Sequence, residues 1–199
     1  MERRDSVKES RGRSAEEREI ICPVCMHHCR LRPGQTGSCR ARANRGGGSS
    51  SLSYGRITSL ALDPIEKKPL AMFEPRSRIL SVGSYGCNLS CPFCQNYEIS
   101  MCAADAETVC LSPEELAGKA AELKEKGNIG VAFTYNEPMI GYEYVRDTAR
   151  IVRAAGMKNV VVTNGSVTEE ILEEVLPFVD AMNICLLYTS DAADDLIGV

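Results

Sequence analysis

The chain has 199 residues, 44% of them hydrophobic and 25% charged, with a formal net charge of −4. This is the composition of a soluble globular protein long enough for a sizeable core. No uncharged apolar run approaches the ~20 residues needed to cross a bilayer, so a membrane-spanning protein is not expected. The first residues, "MERRDSVKESRGRSAEERE", have no apolar stretch of the kind a secretory signal needs, which points to the cytoplasm. Ten cysteines in that reducing compartment argue for metal or redox chemistry rather than a disulfide framework.

In chain order, residues 1–19 read as a charged arm without apolar periodicity, expected to lack fixed structure. Residues 20–45 contain "CPVCMHHCRLRPGQTGSC", with Cys22, Cys25, Cys29 and Cys39 at spacing C-x2-C-x3-C-x9-C. Four thiolates so spaced could close a tetrahedral zinc site, hold an auxiliary iron–sulfur cluster or stay unmetallated, and His28 could replace one of them. Arg30, Arg32, Arg40, Arg42 and Arg45 read as solvated surface charge, since no aromatic side chains are interleaved as a nucleic-acid face would want. The stretch "ANRGGGSSSLSYG" reads as a flexible loop, and residues 46–77 as that Gly/Ser loop and a connecting segment.

From residue 78 the pattern becomes α/β. "RILSVGS" is a buried-strand candidate, and "SPEELAGKAAELKEKG" a helix with Ser112 as N-cap, Pro113 at its first position and Gly127 as its stop. A strand over residues 129–134, a helix ending at Gly156, a strand in "KNVVVTNG", a helix capped by Thr168 and a final strand beginning in "VDAMNI" follow. Apolar strands alternating with amphipathic helices predict βαβ units and a parallel sheet. The loop with Cys87, Cys91 and Cys94, "TYNEP" and "TNG" each follow the carboxyl end of a predicted strand, the rim where parallel α/β folds bind ligands. Cys102 and Cys110 stand alone and read as packing residues.

"GCNLSCPFCQN" spaces three cysteines as C-x3-C-x2-C with no fourth in the run. Three thiolates can bind three irons of a 4Fe–4S cube and leave the fourth iron open, and an open position distinguishes a reactive metal site from a closed structural one. The rival class is a non-catalytic zinc-binding interaction module with a borrowed fourth ligand. An electron-transfer protein is disfavoured because it would need a fourth cysteine.

This motif, with "YGRITSLALDPIEKKPL" and "FTYNEP", resembles the radical S-adenosylmethionine (SAM) superfamily. Within it the chain is similar to pyruvate formate-lyase activating enzymes and to the radical SAM enzyme of the AmmeMemoRadiSam system. The resemblance implies a partial TIM-like (β/α) barrel and a 4Fe–4S cluster on Cys87, Cys91 and Cys94. It also implies reductive cleavage of SAM to a 5′-deoxyadenosyl radical that abstracts hydrogen. A low-potential electron donor such as flavodoxin or ferredoxin, and a protein substrate such as a glycyl residue, belong to the same expectation; nucleic acid and membrane do not. Phe93 matches an aromatic position near the SAM adenine, or is a core phenylalanine under the loop. Tyr135, Asn136 and Glu137 fall where relatives carry Gly-Gly-Glu against the SAM amino group, and Glu137 could equally cap the next helix. Thr163 and Asn164 match a loop near the methionyl and ribose groups, although Asn-Gly is also an ordinary turn. No catalytic acid or base is named.

Residues 185–199, "CLLYTSDAADDLIGV", change character abruptly and resemble the in-frame translation of a sequencing adaptor. They are expected to be a non-native tail. Asp191, Asp194 and Asp195 in this tail account for three of the four net negative charges. On that reading residues 78–184 are the N-terminal half of the core, truncated after about three and a half βα units. An apolar sheet edge left open this way is expected to aggregate.

Overall fold

Residues 18–185 are described by the computed structural model of the protein. The expected charged arm and the expected tail, apart from Arg18, Glu19 and Cys185, lie outside them. Short antiparallel pieces come first: β1 (Ile20–Ile21) pairs with β2 (Arg30–Leu31), and β3 (Arg42–Arg45) with β4 (Gly48–Ser51). The β3–β4 turn falls on Gly46 and Gly47, at φ 60° and 76°, the positive values a two-residue hairpin turn requires. The stretch expected as a flexible loop is therefore an ordered hairpin, and the glycines that read as flexibility form its turn.

Next in order are β5 (Arg56–Ile57), β6 (Ser59–Pro64), β7 (Arg78–Gly83), helix α1 (Tyr97–Ser100) and β8 (Val109–Cys110). The α/β run continues as α2 (Pro113–Glu122), β9 (Asn128–Phe133), α3 (Tyr142–Ala154), β10 (Lys158–Thr163), α4 (Glu169–Val175) and β11 (Ala181–Ile184). The central sheet has the order β11-β10-β9-β7-β6. β7, β9, β10 and β11 are mutually parallel neighbours, and β6 lies antiparallel on the β7 edge. Parallel strands adjacent in chain order, with no reversal, are the pattern of a (β/α) barrel segment rather than of a doubly wound sheet. Among the described residues the sheet does not close. Strand β6 is the member of the central sheet that sequence reading missed, because it lies in the supposed connecting segment; the short strands β1–β5 and β8 outside that sheet are not expected from the sequence either.

Local chemistry explains the boundaries. Ser112 and Glu115 form a capping box at α2: the Ser112 Oγ accepts from the Glu115 amide at 3.2 Å, and the Glu115 carboxylate accepts from the Ser112 amide at 2.7 Å. Thr168 precedes α4 as expected, but its hydroxyl donates to the Pro23 carbonyl (2.8 Å) instead of capping the helix. Asn128 and Asn159, at or near the starts of β9 and β10, repeat one device. Each side-chain amide donates to a carbonyl of the preceding helix, Ala120 at 2.7 Å and Ala149 at 2.9 Å.

Helices α2, α3 and α4 all cover one face, where Leu116, Val145, Val152 and Ile171 pack against Val82, Val131 and Val161. Each such aliphatic side chain contributes about 1.5–3 kcal/mol by leaving water. The opposite face buries Ile79, Ala132 and Val160 under Ile65, with Leu70 and Phe73 against them. Two expectations fail on burial. Cys110 is exposed on β8 rather than packed. Arg42, expected in water, is 2% exposed and holds Glu143 by two bonds of 2.9 and 2.7 Å, the Ile140 carbonyl at 2.7 Å, and Ser49. That bidentate pair fastens the β3–β4 hairpin to the start of α3. Among the described residues, no helix is long and apolar enough to cross a membrane.

Candidate functional site

The loops after β7, β9 and β10 meet at the carboxyl edge of the sheet, as the sequence order predicts for parallel strands. Cys87, Cys91 and Cys94 of the first loop line one cleft of about 210 Å³ with Thr134, Asn136, Glu137, Thr163 and Asn164. Phe93 is 56% exposed at the cleft rim, so the core alternative for it is not what the fold adopts. The Cys94 amide donates to the Cys91 carbonyl at 3.2 Å, a tight turn that brings two of the thiols together. The Leu89 amide points at the Cys87 sulfur (3.4 Å). Burial pushes the Cys87 thiol up to about 11, with Glu137 and the two neighbouring thiols adding to the shift and the Leu89 amide opposing it. Burial also raises Cys91, and the neighbouring Cys94 and Cys185 thiols add to it.

The "YNE" stretch ties the strand ends together. The Asn136 side-chain amide donates to the Gly86 (2.9 Å) and Tyr85 (3.3 Å) carbonyls, and its oxygen accepts from the Ser84 amide at 3.1 Å. Asn136 thus fixes the exit of β7. Glu137 is 2% exposed. Its Oε1 accepts from the Thr163 hydroxyl (2.7 Å) and the Met139 amide (3.0 Å), and its Oε2 from the Asn164 amide (2.7 Å). Burial raises this carboxyl, and the Asn164, Thr163 and Met139 donors hold it down in turn. Glu137 therefore does cap the turn Pro138–Gly141, and it also locks the Thr163–Asn164 loop. Asn164 donates to the Asn88 side-chain oxygen at 2.8 Å, and Asn88 to the Ser166 hydroxyl at 2.7 Å, so the first and third loops are bonded directly.

Tyr135 sits at φ 75°, an uncommon backbone for a non-glycine residue. Its ring lies over Gly83, where a Cβ would come within 2.9 Å of it. Its hydroxyl donates to Asp63 Oδ2 at 2.8 Å, the atom that also accepts from Lys68 Nζ at 2.9 Å. Lys68 is 4% exposed and lies 4.8 Å from the Tyr135 ring centre. Sequence reading missed Asp63 and Lys68. The signal available was an acidic and a basic residue five positions apart in "DPIEKKPL".

The cysteine-rich segment packs onto the same rim. The Met26 amide donates to Ser166 and the Thr168 amide to Val24, at 3.0 and 3.1 Å. Cys22, Cys25 and Cys39 are buried, and burial raises the Cys39 thiol, with Cys25 and Cys22 adding to it. Cys22 and Cys29 face the Ser49 and Ser38 hydroxyls at 3.2 and 3.3 Å. Among the described residues, no three Cys, His, Asp or Glu side chains are gathered as they would be around a single metal ion. A cubane is a different demand, since each thiolate binds its own iron and the sulfurs stay well apart. Three thiols from one loop opening on one cleft suit three of its corners. Cys185, exposed just after β11, also lines that cleft, with its amide bonded to the Thr163 carbonyl at 2.8 Å.

A model of the radical SAM superfamily matches residues 81–198, more than half of the chain. An uncharacterized protein of Methanocaldococcus jannaschii, MJ0808, is 39% identical over 177 residues. That match takes in 88% of this chain and 52% of the relative, so the chain spans about half of that protein's length. The three-thiol loop lies inside the matched region, on the rim where the geometry gathers the site. The chain belongs to the radical SAM superfamily.

Proposed function

We propose that the protein is an enzyme that holds a 4Fe–4S cluster on Cys87, Cys91 and Cys94 and reductively cleaves S-adenosylmethionine, the resulting 5′-deoxyadenosyl radical removing hydrogen from a substrate. The observation that carries this reading is the shared cleft: three thiols of the β7 loop open onto a floor built by the β9 and β10 loops. Radical chemistry belongs to the cofactors, and the chain's part is to bind, orient and shelter them. Phe93, exposed at the rim, is available to lie against the adenine. Thr163 and Asn164 present the loop expected at the methionyl and ribose groups. Asn136 and Glu137 engage their polar atoms with neighbouring loops, so their role is to hold the floor in shape rather than to make a first contact.

In finer detail we place the protein in the branch of the pyruvate formate-lyase activating enzymes and the AmmeMemoRadiSam radical SAM enzyme. It would work in the cytoplasm, take electrons from a flavodoxin or ferredoxin and act on a protein substrate such as a glycyl residue. The "FTYNEP" and "DPIEKKPL" stretches support that placement. Cys22, Cys25, Cys29 and Cys39, not gathered around one point as folded here, would have to draw together to hold a second metal, zinc or an auxiliary cluster, a part of the proposal read separately as metal content after Cys87, Cys91 and Cys94 are replaced by alanine.

Anaerobic reconstitution with iron and sulfide tests the main reading. About four irons should assemble at the loop, SAM should perturb the spectrum of the reduced cluster, and dithionite should release 5′-deoxyadenosine. Cys185→Ser should leave all three unchanged. Zinc at both cysteine groups with indifference to SAM would instead make the protein a zinc-binding module.

A further inference from the structure

We infer that the cysteine-rich segment is a working part of the cluster-binding site, with Arg40 a positioning residue that clasps the two ends of the cysteine loop and sets a cation beside Cys87. Three successive residues at the loop's start are each held by this segment. Gly86 has φ +83°, and a Cβ on it would lie 2.5 Å from the Cys39 carbonyl and 2.8 Å from the Ala41 side chain. The segment therefore touches the loop backbone directly. Arg40 Nη2 donates to the Cys87 carbonyl at 3.2 Å. His27 Nε2 lies 2.7 Å from the Asn88 carbonyl, which can only accept, so the ring donates.

Arg40 reaches the far end of the loop as well. The same Nη2 donates to the Ser100 carbonyl at 3.3 Å and lies 3.2 Å from the Met101 sulfur. One guanidinium thus joins Cys87 to Ser100, closing the loop that carries all three thiols. Arg40 holds this seat from a left-handed backbone, φ 64°, and its Nε is buried without a partner. Among the described residues, no carboxylate pairs with it, whereas the buried Arg42 two positions on has Glu143. Arg40 is only partly buried, and its guanidinium, set against carbonyls and a sulfur, has no counter-charge in contact, so it is free to attract an anion held nearby. The loop it closes is the one that, on the proposed function, carries thiolates and an electron-accepting cluster. A fixed cation there favours the more negative, reduced state, and the loop clasp holds Cys87, part-buried like the other two thiols, in place.

This inference rests on the proposed function for its electrostatic half, while the clasp can be read without any cluster. In metal-free, reduced protein, Arg40→Gln should raise the alkylation rate of Cys87 relative to exposed Cys110 by about tenfold, as loss of a charged hydrogen bond implies. Arg40→Lys keeps the charge and loses the fork. It should loosen Cys87 too, yet leave the reconstituted cluster's midpoint potential near the parent value, while Arg40→Gln lowers it. Unchanged Cys87 labelling in both variants overturns the clasp. Equal potentials in the two variants overturn the charge role. Failure of the parent protein to take up iron would sink the proposed function instead, and the labelling ratio would still decide the clasp.

Discussion

Replacing Asp63 by asparagine removes the counter-charge of a buried lysine. Asp63 accepts from Lys68 at 2.9 Å and from the Tyr135 hydroxyl at 2.8 Å, and Lys68 is 4% exposed. Breaking one side of a buried pair costs about 3–5 kcal/mol, because the remaining ion is left uncompensated. That is a large part of the ~5–15 kcal/mol that holds a domain together. Lys67, 67% exposed and 3.4 Å from the other Asp63 oxygen, serves as the internal control, since exposed pairs contribute about 0–1 kcal/mol. Asp63→Asn should therefore lower the urea midpoint sharply, Lys67→Ala hardly at all, and Asp63→Asn with Lys68→Met should recover much of the loss. The pH dependence has a definite sign. Burial opposes ionisation of Asp63, but the hydrogen bonds from Lys68 and Tyr135 outweigh it and hold the carboxyl well below the usual carboxylate range. Its contribution is then fully present above the unfolded value near ~3.9 and fades as the pH falls below it. Urea unfolding followed by circular dichroism at pH 7 and in steps down to pH 3 would show the parent losing an increment that Asp63→Asn has already lost. A variant within about 1 kcal/mol of the parent at pH 7, with the same acid slope, would refute the reasoning.

Three further changes probe the rim. Glu137→Gln turns one acceptor into an N–H donor facing Asn164, Thr163 or Met139, so thermal unfolding should drop by the equivalent of about 1–3 kcal/mol. Gly86→Ala would force a Cβ to within 2.5 Å of the Cys39 carbonyl from a left-handed backbone, and limited proteolysis should then cut between the cysteine-rich segment and β7 far sooner. Arg42→Met leaves Glu143, itself 22% exposed, without its buried partner and should cost about 1–3 kcal/mol in chemical unfolding, whereas truncating the exposed Arg30 should not register.

The βα alternation is legible because β7, β9 and β10 are short apolar runs buried on both faces, which only a parallel sheet between layers satisfies. Ser112 and Pro113 mark the start of α2 through backbone chemistry that acts within a few residues, whereas Gly127, expected as its stop, caps the separate 3-10 turn Lys124–Lys126 after α2 has ended at Glu122. The three-thiol loop is legible for the same reason, since its spacing is local. What stays hidden depends on contacts between distant parts of the chain. Arg40, His27 and Asn88 look like ordinary surface polar residues until the fold brings segments 47 and 61 residues apart into contact. Strand β6 is hidden because it is half exposed and pairs only along one edge, with β7, so its apolar pattern is weak. Glu137 shows the limit from the other side: its position is legible, but whether its carboxylate faces a ligand or its own neighbours is decided by Thr163 and Asn164.

That last point bears on how such a rim can work. A ligand floor made of loops tends to be mobile, because loop backbone has few partners of its own. Here side chains supply the missing bonds: Asn136 to the β7 exit, Glu137 to the β10 loop, Asn164 to Asn88, and Asn88 on to Ser166. Every loop is held by at least one other, so displacing any of them breaks bonds in a neighbour. Buried, fully satisfied networks of this kind lose more than a single pair when one member is removed. The residues expected to touch a cofactor therefore act first on each other, and the rim meets its ligand already shaped rather than folding around it. On this argument a double replacement of Asn136 and Asn164 should cost less than the two single losses added together, because each has already loosened the loops that the other holds.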